Sequence, residues 1–346
     1  MVGSSAARFG GKVGSSYKLT AREAEVKVGI FTVLFGDKPF GQALDLIAEA
    51  GGEAVEIGCG GYPGNAHCDA RKLLASPAAQ SAFLKAVRDR GLALSALSVH
   101  GNPLHPQRRI ANRFHDDWRV AVRLAAALQV ERVITFSGCP GDSEGAKYPN
   151  WVTCAWPPDY PEILQWQWEE KLIPYWRKEA AYARKHGIEK ICFEMHPGFA
   201  VHNPEALMRL REAVGESIGA NFDPSHLWWQ GIDPVAAIRY LGKAIYHVHA
   251  KDVRIDPINT ARNGVLDTKS YTDELNRSWV FRTIGWGHDA LVWKDMVSAL
   301  RLVGYDWALS IEHEDSLMSF GEGFRRAVAF LKECTIQEPP PKVYWA

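Results

Sequence analysis

Four short stretches of this chain carry an apolar run up to an acid or an imidazole. They are ICFEMHPG with Glu194 and His196, IGANFDPSH with Asp223 and His226, IYHVHAKD with His247 and His249, and ALSIEHED with Glu312, His313 and Glu314. Carboxylates and an imidazole brought together make a hard, mixed oxygen–nitrogen site for Mn²⁺, Mg²⁺, Co²⁺ or Zn²⁺. Such a cation polarises carbonyl and hydroxyl oxygens and stabilises the charge left when a neighbouring C–H loses its proton. These residues lie far apart in sequence, so the chemistry needs a fold that carries several strand ends to one place.

The intervening elements supply such a fold. Strand-like runs at 26–35, 53–58, 93–103, 130–138, 188–198, 218–226, 243–252 and 307–315 alternate with helix-like segments. The helical patterns cover 41–52, 76–91, 114–129, 166–187 with a proline kink, 203–215, 233–242, 289–304 and 321–334, several opening on Ser-Pro or Asn-Pro and closing on Gly. Eight βα units in order predict an α/β chain folded as a single (β/α)8 TIM barrel, whose parallel strands deliver their C-terminal ends to one face. No GxGxxG follows the first run, which argues against an open dinucleotide-binding sheet. Insertions at 139–165 and 253–288 leave the C-terminal face and are expected to form lids. Residues 1–25 read as a disordered leader without the apolar middle of a secretory signal. Residues 26–335 read as the catalytic barrel and 336–346 as a Pro-rich tail.

Bulk properties narrow the function. Of 346 residues, 47% are apolar and 23% charged, and 40 basic side chains balance 40 acidic ones. A neutral chain offers no basic field to nucleic-acid backbone, so no nucleic-acid partner is expected. No apolar run reaches the roughly eighteen residues of a spanning helix, so none is expected for a membrane. The six cysteines are scattered without a CxxC, which reads as free thiols in a cytoplasmic protein. Thirteen tryptophans are the compositional oddity, clustered at Trp151, Trp156, Trp166, Trp168 and Trp176, then at Trp228 and Trp229.

Each candidate has a structural alternative. Glu194 follows ICF and is buried by strand alternation, where a carboxylate needs either a cation or an ion-pair partner. Asp223 either ligates or caps its loop. Period-two alternation puts His247 and His249 on one side; His249, nearer the strand end, is the better ligand. Glu312 ends its run, whereas Glu314 and Asp315 read as solvated loop charges. His196 is aimed to the same side as Glu194 and adds a neutral-pH base not tied to an ion, unless the Pro-Gly turn satisfies it. His100 and Asn102 are pocket-lining candidates, and Glu56, ending the second strand, either orients substrate or forms an ion pair. Lys251 and Asp252 read as a local pair just outside the site.

The E-x-H of the fifth strand, DPSH, HVHAKD and the Glu closing the eighth, in this order, resemble the sugar phosphate isomerase/epimerase family of xylose-isomerase-like TIM barrels. The resemblance runs over nearly the whole chain from about residue 26. It implies one Mn²⁺ or similar ion held by Glu194, Asp223, His249 and Glu312, with the two glutamates exchanging protons with substrate from opposite faces. It also implies that His226 and Arg254 touch substrate hydroxyls. His196 together with the lid tryptophans resembles the α subunits of C-glycoside deglycosidases, which act on 3-keto C-glycosides of aromatic aglycones with a smaller β subunit. A flat aglycone would suit stacking on tryptophan rings. DNA-repair endonucleases of the same superfamily also resemble this barrel, but they need a basic groove that a neutral chain does not offer.

Removing a proton next to a carbonyl leaves an enediolate. Returning the proton to the neighbouring carbon gives an isomer, returning it to the other face gives an epimer, and losing a group from the β carbon makes a lyase. The sequence points to a divalent-metal-dependent enzyme, Mn²⁺ foremost, that enolises a keto-sugar or keto-glycoside with Glu194, Glu312 and His196 as catalytic groups. Isomerisation or epimerisation leads; a lyase releasing aglycones from 3-keto C-glycosides is the alternative. The expected partners are a small carbohydrate and either further copies of the chain or a smaller β subunit. A catalytically silent barrel is the reading that holds if the four ligands fail to meet. No GxxxxGK[ST] cradle is present, so a phosphorylated substrate is not expected.

Overall fold

The computed structural model describes residues 26–338 and residue 345; the leader and most of the tail lie outside the described residues. The strands are β1 (Lys27–Phe31), β2 (Ala54–Gly58), β3 (Ala93–Ser98), β4 (Arg132–Thr135), β5 (Lys190–Glu194), β6 (Ile218–Phe222), β7 (Ile245–Ala250), β8 (Asp252–Ile255), β9 (Trp279–Arg282) and β10 (Ala308–Ile311). Among the described residues, eight of them close a parallel barrel in the order β1-β10-β7-β6-β5-β4-β3-β2. This is the (β/α)8 barrel expected from the alternation of elements. Closure runs through β1, where Gly29 pairs with Ser310 of β10 on one side and Ala54 of β2 on the other.

Alternation along each strand separates two layers. Phe193 of β5 packs against Trp176 of the surrounding helix Ile173–Lys185, with ring centroids 4.5 Å apart. Its neighbour Cys192 joins Ala96 and Ile134 in a separate small cluster, as expected of side chains pointing into the barrel. The strand register shifts at Val55/Glu56 between β2 and β3, and at Ala220/Asn221 between β6 and β7. Such irregularities bend a strand and re-aim a side chain. Glu56 and Asn221 both lie against the site described below.

The helices start where their first residues can satisfy free amides. Asn203 accepts from Ala206 at 2.8 Å and Asp233 from Ala236 at 2.7 Å, each followed by a proline in the first turn. Caps of this kind contribute about 1 kcal/mol each. Trp118 of helix Arg108–Leu128 meets Trp176 edge-on at 5.4 Å, and both rings are buried in the layer between helices and barrel. The kinked helix expected over 166–187 is instead helix Asp159–Trp166, a π-turn Gln167–Leu172 and helix Ile173–Lys185. Pro174 lacks an amide proton and crowds the carbonyl one turn before it, and the wider π-turn accommodates the interrupted ladder.

The 253–288 insertion carries a ribbon. β8 and β9 pair antiparallel, with Val253 opposite Phe281 and Ile255 opposite Trp279, and helix Pro257–Asn263 follows β8. Every cysteine is a free thiol, with only Cys154 exposed. Among the described residues no helix is long and apolar enough to cross a membrane.

Candidate metal centre

Glu194 ends β5, Asp223 follows β6, His249 lies on β7 and Glu312 follows β10, so four strand ends carry the four predicted ligands. One ligand atom of each lies within 4.8 Å of those of the others. His249 Nδ1 is 3.1 Å from Glu194 Oε2 and 3.0 Å from Glu312 Oε2. These pairs are close but misaligned: His249 Nδ1, Glu312 Oε2 and Asp223 Oδ2 are buried without a hydrogen-bond partner. Ligand atoms that crowd within 4.8 Å of one another without bonding to each other leave room for one shared partner. An unsatisfied buried polar atom costs about 1–3 kcal/mol, and a divalent cation as that partner would satisfy all three at once. Three carboxylates with one imidazole are the donor set of Mn²⁺, Mg²⁺, Co²⁺ or Zn²⁺.

Asp223 divides its two oxygens between roles. Oδ1 accepts the Ser225 amide at 2.8 Å and so caps the short helix Pro224–Trp228, leaving Oδ2 for the site. Burial pushes this carboxyl up to about 6, against the pull of His226 and Lys251. Burial also opposes the charge on Glu312, but Lys251 and His249 outweigh it and hold Glu312 at about 2. Burial opposes the charge on Glu194 as well, but the hydrogen bond from His100 and the nearby imidazoles of His226 and His249 outweigh it and hold Glu194 well below the usual range.

The inner nitrogen of His249 faces the barrel interior. Nε2 lies 2.9 Å from both oxygens of Glu56, which is fully buried on β2 and also accepts the Ser98 hydroxyl. Burial opposes the charge of Glu56 too, yet His249, His247 and Ser98 hold it at about 2. His247 Nδ1 is 2.9 Å from Asn221 Oδ1, and the Asn221 amide donates to Glu194 Oε2 at 3.3 Å. Glu56, His247 and His249 therefore form a second group compatible with a divalent ion, and Glu194, His196 and His226 a third. The two buried carboxylate oxygens without a partner, Asp223 Oδ2 and Glu312 Oε2, both belong to the outer four.

A cavity of about 500 Å³ opens onto this floor, lined by Glu194, Glu312, His100, His196 and Lys251 below the rings of Phe31, Tyr62, Phe136, Tyr271 and Phe281. His196 Nδ1 is 2.6 Å from the Pro197 carbonyl, which can only accept, so Nδ1 carries the proton and Nε2 presents a lone pair. Burial holds this ring at about 3, hence neutral. His226 is buried beside the ligands, with Nε2 3.3 Å from Glu194 and 3.4 Å from Asp223. His100 bonds Glu194 Oε2 at 2.9 Å.

Two predicted contact residues are not brought to the cavity. Asn102 clamps Cys139, accepting its amide at 2.9 Å and donating to its carbonyl at 3.0 Å. Arg254 is exposed on β8 and donates to the Gly287 carbonyl at 3.2 Å. The expected Lys251–Asp252 pair does not form, because neighbours on an extended chain point to opposite sides. Lys251 turns into the cavity, 3.4 Å from Glu312, paired with Glu314 and 4.2 Å above the Phe281 ring. Burial works against its charge, but Glu312 and Glu314 keep it well above the usual lysine range. Asp252 instead accepts the amides of Gly285, Gly287 and His288. Sequence reading missed Lys251, although the alternation that turns His247 and His249 inward extends to it. The tryptophans also lie elsewhere: Trp228 stacks on His288 at 3.8 Å and Trp229 on Trp279 at 4.8 Å, while phenylalanine and tyrosine wall the cavity.

Residues 44–334 match the family model of xylose isomerase-like TIM barrels. The chain is 40% identical over 314 residues to the protein YfiH of Bacillus subtilis (strain 168), covering 90% of this chain and 100% of that one. It is 29% identical over 289 residues to the rhizopine catabolism protein MocC of Rhizobium meliloti, covering 81% and 76%. To an inosose dehydratase of Mesomycoplasma hyopneumoniae it is 24% identical over 244 residues, covering 68% and 72%. A solved structure of L-ribulose 3-epimerase superposes with a TM-score of 0.58 over 89% of this chain and 94% of that one, at 16% identity, a likeness of fold.

Proposed function

Because the chain belongs to the xylose isomerase-like TIM-barrel family, we propose that it enolises a keto-sugar or related keto-polyol with one divalent cation, giving an isomer or an epimer. The observation that carries this reading is the convergence of unpartnered Asp223 Oδ2, His249 Nδ1 and Glu312 Oε2 with Glu194 at the cavity floor. When bound, a divalent cation supplies Lewis-acid stabilisation of negative charge on the substrate's carbonyl and hydroxyl oxygens. Mn²⁺ suits carboxylates and imidazole together and is the ion we favour over Mg²⁺, Co²⁺ and Zn²⁺.

The chain's own residues move the proton. A carboxylate of Glu194 or Glu312 takes it from the carbon beside the carbonyl; the C–H electron pair becomes a C=C bond and the carbonyl oxygen becomes anionic. Lys251, held charged 3.4 Å from Glu312, adds a fixed positive charge where that anion develops. Returning the proton to the former carbonyl carbon, while the hydroxyl proton passes to the former carbonyl oxygen, yields the isomer; return of a proton to the other face of the same carbon, from the second glutamate after it has taken one up from solvent, yields the epimer.

A second reading is supported by the Nε2 lone pair of His196 and by the five aromatic rings around the cavity. If the substrate carries a leaving group on its β carbon, the enolate pair reforms the carbonyl, a new C=C forms, and the bond to that group breaks with its electrons. Water lost from a keto-polyol or an aromatic aglycone lost from a 3-keto C-glycoside, the latter with a smaller β subunit, would be the product. Both readings predict that, in D₂O with Mn²⁺, deuterium enters the carbon next to the carbonyl of a substrate drawn from a keto-sugar, keto-polyol and 3-keto C-glycoside panel. Glu194→Gln should abolish that exchange, and the product identifies the branch. Absence of exchange across the panel would sink both readings.

A further inference from the structure

We propose that Glu56 is a positioning residue that fixes His249 as a metal ligand through a hydrogen bond to its inner nitrogen, and that the inner Glu56–His247–His249 group holds no ion of its own. The proposal rests on the reading of the outer four residues as the metal centre.

A neutral imidazole carries one N–H, and whichever nitrogen holds it cannot ligate. His249 Nε2 sits 2.9 Å from both oxygens of Glu56, and a carboxylate can only accept. In the neutral, ligating form the proton therefore belongs on Nε2, facing Glu56, which leaves the Nδ1 lone pair for the side of Glu194 and Glu312. The negative charge behind the ring also makes that lone pair more basic.

Glu56 is itself held firmly enough to do this. It is fully buried beside the β2–β3 register shift, and the Ser98 hydroxyl donates to Oε1. Phe31, paired with Glu56 across β1 and β2, lies against the His249 ring with centroids 5.6 Å apart and planes within 28°. An inner ion would need His247 as a further ligand. Of its two nitrogens, Nδ1 is bonded to Asn221 at 2.9 Å and lies 3.9 Å from Glu56, so only Nε2 is left to ligate, while the His249 nitrogen on this side is already engaged by Glu56. Asn221 in turn reaches Glu194, so the inner histidine is tied to the outer site by hydrogen bonds.

Calorimetric titration of the full chain with Mn²⁺ tests this without any activity assay. Wild type should bind one ion per chain. Glu56→Gln should bind it about 10–100-fold more weakly, with its far-ultraviolet circular dichroism unchanged. In a His249→Ala background the same substitution should add less than about twofold, because both changes act through one ligand. Ser98→Ala, which loosens Glu56 without touching its charge, should weaken binding in the same direction but less, and it carries the test if Glu56→Gln does not fold. Wild-type affinity in Glu56→Gln, or in Ser98→Ala where that variant carries the test, would overturn the role of Glu56 alone. Two ions per wild-type chain, one of them lost on Glu56→Gln, would also overturn it, since Glu56 would then be a ligand. So would a full additional loss in the His249→Ala background. A wild-type chain that takes up no Mn²⁺ overturns the metal centre and Glu56's role with it.

Discussion

Asp223 and Asp252 are equally buried, each with no exposed surface, yet their surroundings differ in kind. Asp252, opening the ribbon, is saturated. Its Oδ2 accepts the amides of Gly285, Gly287 and His288 at 3.0, 3.1 and 3.0 Å, and its Oδ1 takes the Val253 amide and the His288 ring. A β carbon on Gly287 would collide with Asp252, so the loop is shaped around that carboxylate. Asp223 has one amide and an oxygen with no partner. Burial and charge are common to both. What separates an acid that holds the chain from an acid with a lone pair to spare is how many of its lone pairs the protein has already filled.

The largest expected effect falls on catalysis. Glu194→Gln and Asp223→Asn should lower turnover by about 10²–10⁴-fold on whichever keto-substrate is found, with an unchanged circular dichroism spectrum. Asp252→Ala should act on the fold instead. Several buried amides lose their acceptor at once, so urea unfolding should show a loss of about 3 kcal/mol or more. Asp223→Asn, measured in chelator, should stay within about 1 kcal/mol of wild type. Equal destabilisation by the two substitutions would break the comparison. Mn²⁺ at a hundred times its dissociation constant should stabilise wild type by about 2.7 kcal/mol, and chelation should reverse this. The same titration should leave Glu194→Gln unmoved and Asp252→Asn moved as in wild type.

The smallest effect concerns another filled acid of the ribbon insertion. Burial pushes Asp267 up, but the amides of Lys269 and Ser278 and the Lys269 ammonium outweigh it and hold it at about 2. Its folded value lies below the roughly 3.9 of an unfolded aspartate. The stability it contributes is therefore complete above about pH 4 and lost as pH falls through about 2. Hydrogen exchange across 265–278, corrected for intrinsic rates, should show protection falling over that window. Asp267→Asn should remove the dependence; retention of it would assign the effect to another group.

The barrel was legible because eight apolar runs alternate with eight amphipathic ones, and a parallel strand must return through a crossover. Glu194, Asp223, His249 and Glu312 were legible because barrel strands all end on one face. Three features were not. Arg254 was placed at the substrate by resemblance, against the alternation that turns 247, 249 and 251 inward. Tryptophan count says nothing about which side of a lid each ring faces, so the wall of Phe31, Phe136 and Phe281 had no compositional mark. Glu56 stood out as a strand-end acid, but its partner is decided by barrel closure and by a register shift, neither of which leaves a trace in local sequence.

The hydrogen bond between Glu56 and His249 spans 193 positions of chain. During synthesis on the ribosome, β2 is finished long before β7 and β10 emerge, and no earlier fragment can present the complete ligand set. If the four residues hold a cation as proposed, its loading waits until the cylinder has closed.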